Sequence, residues 1–328
     1  MNIISKISRI VPILFLAVVF QACSSDDDNT PAPAEPSVVD LALATPNLGK
    51  LVLALQAADG DLVNVLSGPG PFTVLAPTDA AFDAFLAANN FATLADVPTD
   101  VLSNILLNHV ISAEVTSAGL IAAGSGYTNT NAKNIDGDNL SLYYDTSNGV
   151  TFNGVATVST PDVEGSNGVV HIVDAVIGLP TVVTFATSNP ALSNLEAALV
   201  LADSQNPSPN LIGTLSGTGP FTVFAPTDTA FANLLLELDP TGNTALGDLP
   251  PALVTSVLTF HVVNGNVRST DLMTGTVTTL GGDVELDAAT LTITDPNGRT
   301  SNIIVELVDI QAYNGVVHAI DTVILPQL

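Results

Sequence analysis

Gly70-Pro-Phe-Thr-Val-Leu-Ala-Pro-Thr-Asp-Ala-Ala-Phe82 returns 149 residues later as Gly219-Pro-Phe-Thr-Val-Phe-Ala-Pro-Thr-Asp-Thr-Ala-Phe231, with eleven of the thirteen positions identical. A second string, Asn167-Gly-Val-Val-His-Ile-Val-Asp-Ala-Val-Ile177, returns as Asn314-Gly-Val-Val-His-Ala-Ile-Asp-Thr-Val-Ile324. Two strings repeated in the same order mean two copies of one domain in tandem. We set copy one at residues 37–180 and copy two at 181–328, each of ordinary domain size. The pair also supplies an internal alignment.

Within the first string, Phe72 to Ala76 is a short apolar run rich in β-formers and reads as a buried strand. Pro77 breaks it. Thr78 or Asp79 can cap a following helix whose Phe82, Phe85 and Leu86 recur at helical spacing. Thr227, Asp228, Phe231, Leu234 and Leu235 repeat this. Upstream, Val38 to Ala58 and Val182 to Ala202 read as helical stretches, with Asn47 and Ser193 at candidate N-cap positions. Downstream, Pro98 and Pro250-Pro251 open helices that end on Asn108-His109 and Phe260-His261. The last third of each copy is β, with Asn-Gly turns at 148–149 and 153–154. Its strands are expected at 140–144, 150–152 and 156–158, then at 284–286, 291–293 and 303–308, with Asp295 to Gly298 as a hairpin turn. Helices early and strands late in each copy make an α+β class.

The two strings with a helix-ending His between them resemble the fasciclin (FAS1) domain. Phe72 to Asp79 with Phe82 resembles its first signature, and Asn167 to His171 with Asp174 its second. Asn108-His109 falls at the family's Tyr-His position, as does Phe260-His261; neither copy has the Tyr. The resemblance implies two units, each a wedge of β-strands with packed helices. It also implies extracellular adhesion or binding to matrix and cell surfaces, without catalysis.

The first 22 residues are expected to leave. Lys6 and Arg9 precede the apolar run Ile10 to Phe20, which is too short to span a bilayer, as in a secretory signal peptide. A cut before Cys23 resembles a bacterial lipobox with Phe where Leu is usual. Cys23 is the only cysteine, so it has no internal disulfide partner and is the expected lipid attachment point. Residues 23–36 are acidic, Pro-rich and without large apolar side chains, a tether rather than a fold. Their acidic run, Asp26 to Asp28, resembles the surface-export signal of Bacteroidetes lipoproteins. The expected location is therefore the outer membrane or the cell surface, with the membrane met through the lipid anchor only.

The leader holds two of the six basic residues and none of the 32 acidic ones, which leaves the mature chain at −28. Such a field excludes nucleic acid as a partner. It suits solubility in a salty medium, or bridging to anionic surfaces by divalent cations. The chain has no Trp, which excludes a carbohydrate face of stacked Trp rings. The partner is expected to be a surface or matrix macromolecule, protein or polysaccharide.

All four histidines lie in the repeated motifs: His109, His171, His261 and His318. Two per copy and no Cys cannot close a zinc site, so no metal and no cofactor is expected. His171 and His318 sit in apolar strands and read as structural, beside Thr78, Asp79, Asp174, Thr227, Asp228 and Asp321. Asn108, His109, Phe260 and His261, at helix ends, form the candidate adhesive surface. No Gly-x-Ser-x-Gly elbow and no phosphate-binding Gly-rich loop occurs. Asp136-Gly-Asp138-Asn139 lacks the closing Glu of a calcium loop and reads as a polar hairpin turn. Two other readings stay open: a module for a glycan or small apolar ligand, and an enzyme using the motif His and Asp.

Overall fold

A computed structural model describes residues 35–327. The signal peptide, Cys23 and nearly all of the tether lie outside the described residues. Copy one runs α1 (Val38–Ala44), α2 (Gly49–Ala57), α3 (Leu62–Ser67), β1 (Phe72–Pro77), α4 (Asp79–Ala88), α5 (Thr99–Leu107), β2 (Val110–Ile111) and α6 (Ser117–Ala123). It ends with β3 (Ser125–Lys133), β4 (Asn139–Asp145), β5 (Thr151–Phe152), β6 (Ala156–Gly165) and β7 (Gly168–Val173). Copy two runs α7 (Val182–Ser188), α8 (Ser193–Asp203), α9 (Leu211–Ser216), β8 (Phe221–Pro226), α10 (Asp228–Leu238), α11 (Pro251–Thr259) and β9 (Val262–Asn264). It ends with β10 (Gly275–Thr278), β11 (Asp283–Asp287), β12 (Thr292–Thr294), β13 (Thr300–Asn302), β14 (Ile310–Ala312) and β15 (Gly315–Ile320).

The two repeated strings are the two halves of one structural element. β1 lies parallel to β7, with Leu75 opposite His171, and β8 lies parallel to β15, with Phe224 opposite His318. Around that pair copy one builds a seven-stranded sheet in the order β2-β1-β7-β6-β5-β4-β3. Copy two splits the same plan into two four-stranded sheets, β14-β15-β8-β9 and β10-β11-β12-β13. Helices α1 to α5 pack on one side, where Leu51, Leu55, Phe82, Leu102 and Leu106 close a core with Val74 and Val170, while α6 packs Leu120 on the other, with Leu75 and Leu142. The close approach of the paired strands explains the glycines of both strings. A Cβ on Gly168 (φ +152°) would sit 2.0 Å from the Phe72 carbonyl oxygen, and one on Gly315 would meet Phe221 in the same way.

Three expectations are corrected. The long helical stretches are each broken, at Pro46 into α1 and α2 and at Pro190 into α7 and α8. A proline disfavours the helical conformation of the residue before it. The N-caps of α2 and α8 are Leu48 and Leu192 and give no side-chain bond, so Asn47 and Ser193 do not cap as expected. The strand expected at 303–308 is a bridge at Ile303 followed by a 3-10 turn at Val305–Leu307.

Residues Glu35–Leu328 cluster as one unit, and the two copies share a seam. Tyr127 stacks at a tilt on Tyr143 (5.1 Å) and edge-on to Phe185 of copy two (5.6 Å). Asn189 donates to the Tyr127 hydroxyl (3.0 Å). The Gln311 N–H donates to Ser141 Oγ (3.0 Å), and Asn134 donates to Gln311 Oε1 (3.0 Å). The Asp136–Asp138 turn serves this seam: Asp136 accepts from Asn266 (2.9 Å), and Asp138 pairs with Arg268 (2.9 Å).

Candidate functional site

The motif residues converge on the strand pair, and their side chains are bonded inward. His109 ends α5 where the chain turns under the sheet. Its Nδ1–H donates to the Ile105 carbonyl (2.8 Å) and its Nε2 accepts from the Ile177 N–H (2.9 Å). His261 repeats this with Val257 (2.8 Å) and Ile324 (3.0 Å). His171 takes the opposite tautomer. Its Nδ1 accepts from the Asp162 N–H (3.1 Å), and its Nε2–H donates to the Val115 carbonyl (2.8 Å). His318 does the same with Asp309 (3.2 Å) and Val267 (2.9 Å). Each neutral ring thus ties two distant backbone segments together. Burial pulls the pKa of His109 and of His261 down to about 4, and lowers that of His318.

The candidate adhesive surface is therefore not a surface. Asn108, His109, Phe260 and His261 are all buried, the least covered being Phe260 at 7% exposure. Helices α5 and α11 end against the sheet rather than in solvent, so the residues after them point into the core. Asn108 donates to the Gly178 carbonyl (2.9 Å) and accepts from Thr130 (3.0 Å). Phe260 takes that place with an aromatic ring, and Gly281-Gly282 make room for it; a Cβ on Gly281 would lie 2.4 Å from the ring.

The polar motif residues hold helix and strand ends. Thr78 and Thr227 cap α4 and α10 through the N–H of Ala81 and Ala230. Asp79 and Asp228 instead reach across to cap the neighbouring helices, accepting from the N–H of Lys50 (2.6 Å) and of Asn194 (2.7 Å). Asp174 accepts from the Thr157 N–H (2.6 Å) and Asp321 from the Asn302 N–H (2.8 Å), fastening the strands beside them.

The carboxylate nearest each strand histidine is one that sequence reasoning missed. Asp162 lies 3.8 Å from His171 Nδ1, and Asp309 lies 3.9 Å from His318 Nδ1. Each also holds a serine, Ser117 or Ser269, through both its N–H and its hydroxyl. Both precede their His by nine residues, a match that extending the internal alignment upstream would have found. Asn167 and Asn314, the first residues of the second string, clamp two helix ends each. Each donates twice to the end of one helix, at Leu66 and Gly68 or Leu215 and Gly217. Each also accepts at the start of another, from Val38 or Val182. Among the described residues no cluster of three or more His, Cys, Asp or Glu is placed to hold a metal.

Open surface is found instead where the copies meet. Two cavities of about 410 and 360 Å³ share Ile135 and Tyr313 in their walls. The first continues over Ser216, Gly219 and Pro220, the second over Val101, Leu107 and Leu179. Ile135, at the tip of the β3–β4 hairpin, is 82% exposed, and Tyr313, at the β14–β15 turn, is 43% exposed. Copy one has Ser166 in the position of Tyr313. Beside the cleft, Lys133 is the one basic side chain among the described residues without a carboxylate partner.

The model of the fasciclin domain matches residues 46–180 and 199–326. "Protein sll1483" of Synechocystis sp. is 37% identical over 150 residues, 45% of this chain and 74% of that protein. Transforming growth factor-beta-induced protein ig-h3 of Sus scrofa is 28% identical over 270 residues, 80% of this chain but 35% of that protein. The solved FAS1 domain pair of the insect cell adhesion molecule Fasciclin I covers 86% of this chain and 97% of its own, at 21% identity and a TM-score of 0.49.

Proposed function

The chain belongs to the fasciclin family, with two of its domains in tandem, and on that footing we propose that it is a non-catalytic adhesive module at the cell surface. One observation carries the reading. The motif histidines are closed off in the core by backbone hydrogen bonds, whereas apolar Ile135 and Tyr313 stand exposed at the mouth of the inter-copy cleft. A catalytic base needs a free ring nitrogen within reach of a substrate proton, and here both nitrogens of each ring are engaged. A small apolar ligand needs an enclosed pocket of order 300 Å³; the cavity inside the copy-two core, lined by Leu195, Leu199 and Val223, has about 40 Å³. A cleft that sets two exposed apolar side chains, Ile135 and Tyr313, among polar ones suits a macromolecular partner instead.

In this reading Cys23 carries the lipid, and the acidic segment after it lifts the two domains off the outer membrane. Many weak contacts, two domains per chain and many chains per cell, multiply into firm attachment. Comparing a deletion strain with wild type in a cell-attachment assay tests the role. Loss of attachment supports adhesion, and unchanged attachment counts against it.

A further inference from the structure

The two copies end the helix after their first string differently, and the difference opens a groove in copy two. In copy one α4 stops with Asn90 in the left-handed conformation (φ 59°). The Asn90 N–H then bonds the Ala87 carbonyl (3.2 Å) and the Phe91 N–H bonds the Leu86 carbonyl (2.9 Å). This is a Schellman ending, which folds the next apolar residue back onto the helix. Phe91 accordingly packs on the cluster of Phe82, Leu86, Val97 and Leu102.

Copy two has no such residue. Asp239 ends α10, Pro240 follows, and the Asp239 carboxylate gathers the loop by accepting from the N–H groups of Thr241 (3.0 Å), Asn243 (3.1 Å) and Thr244 (3.1 Å). The loop from 239 to 245 carries no large apolar side chain. What it leaves uncovered is a cavity of about 60 Å³ walled by Phe231, Leu234, Leu238, Leu249, Leu253 and Val257. The space is well under the roughly 150 Å³ of an enclosed cavity that binds benzene, so a ring seated here would stand partly in solvent. Leu238 is 52% and Leu253 39% exposed. Val97 and Ile105 are buried in copy one, while their counterparts Leu249 and Val257 are only half-buried. Three carboxylates adjoin the wall in sequence, Glu237 and Asp239 beside Leu238 and Asp248 beside Leu249, and Asp248 also accepts from the Ala245 N–H (2.8 Å). One cation, Arg299, answers them by pairing with Glu237 (2.9 Å).

We propose that this groove docks a cationic, aromatic-bearing segment of a partner protein, whose ring takes the place that Phe91 takes in copy one while its Lys or Arg residues face Asp239 and Asp248. The internal copy specifies the ring, and these carboxylates specify the charge. The inference deepens the adhesive reading by adding a contact surface with a stated partner chemistry.

Because the chain has no Trp, a Trp in a probe peptide reports on binding without background. The probe is acetyl-Lys-Lys-Ala-Trp-Ala-Lys-Lys-amide, titrated with the purified full chain. A saturable blue shift is expected, with a Kd of roughly 0.1 mM at low salt. Binding should weaken at least about tenfold, a loss of ~1.4 kcal/mol, in Leu253→Lys. It should weaken likewise when residues 239–244 are replaced by the Asn-Asn-Phe-Ala of copy one, and when Glu replaces the peptide's Lys. Leu53→Lys, an exposed change in copy one, should leave it unchanged, and melting curves check that each variant is folded. No saturable shift, or a shift indifferent to Leu253→Lys or to the peptide's charge, overturns the proposal. The assay needs no cells, so its failure is distinguishable from a failure of the attachment experiment.

Discussion

Acid should destabilise this protein through its two helix-ending histidines. Burial, offset in part by the hydrogen bond to Ile105 or Val257, pulls His109 and His261 from 6.5 down to about 4 in the folded chain. In the unfolded chain each takes up its proton near 6.5. Between these values the unfolded state binds more protons, so stability rises with pH across that window. It is complete above about 6.5 and lost as pH falls through about 4. The gap is worth about 3 kcal/mol per imidazole, and the two together about 6 kcal/mol, against a total of roughly 5–15 kcal/mol for an ordinary domain. The chain's many carboxylates also titrate in acid, so the informative quantity is a difference. His109→Gln cannot titrate. It should lower stability at about pH 7 by roughly 1–3 kcal/mol through lost hydrogen bonds, and that deficit should shrink or reverse by about pH 4, by about 3 kcal/mol. Urea unfolding of both proteins at several pH values measures it. Parallel pH dependences would refute the reasoning, because they would mean that the buried imidazole does not titrate differently on folding.

Three other outcomes are expected. Asn314→Ala removes two donated bonds and one accepted bond from a buried site. It should cost about 3 kcal/mol, read as a lower unfolding midpoint in urea, and an unchanged midpoint would deny Asn314 its role as a clamp. Asp79→Ala removes the side-chain cap of α2, and Asp228→Ala that of α8. Each should cost about 1–2 kcal/mol by thermal unfolding, with Asn the milder substitute. Cys23→Ser should move the protein from the membrane to the soluble fraction on cell fractionation; retention in the membrane would count against lipid attachment.

The strand, the tight turn and the capped helix of the first string were legible because all their signals are local. The strand runs from Phe72 through Pro77, which continues it rather than breaking it, and Thr78 is the cap. The role of Asp79 was half legible: its position predicts a cap, but only the fold shows that it caps the helix beside it. Strand β3 was not anticipated, because Gly126 to Asn131 reads as a polar loop. Thr130 and Ala132 are nonetheless fully buried, since β4 and α5 cover them. The exposure expected at Asn108-His109 failed for a related reason. Periodicity reports which face of a helix is apolar but not where the helix points when it ends. The seam depends on partners such as Ser141 and Gln311, 170 residues apart, and no local pattern marks them. Ile135 and Tyr313 were invisible for the same reason, since a lone apolar residue in a turn has meaning only once a second one stands opposite.

The central claim is that the inter-copy cleft, and not the signature strings, meets the partner. Cells carrying Ile135→Asp with Tyr313→Ser test it most directly, because both side chains are exposed and the fold should tolerate the exchange. With surface level and melting temperature unchanged from wild type, attachment should fall to that of the deletion strain. Attachment equal to wild type would contradict the account.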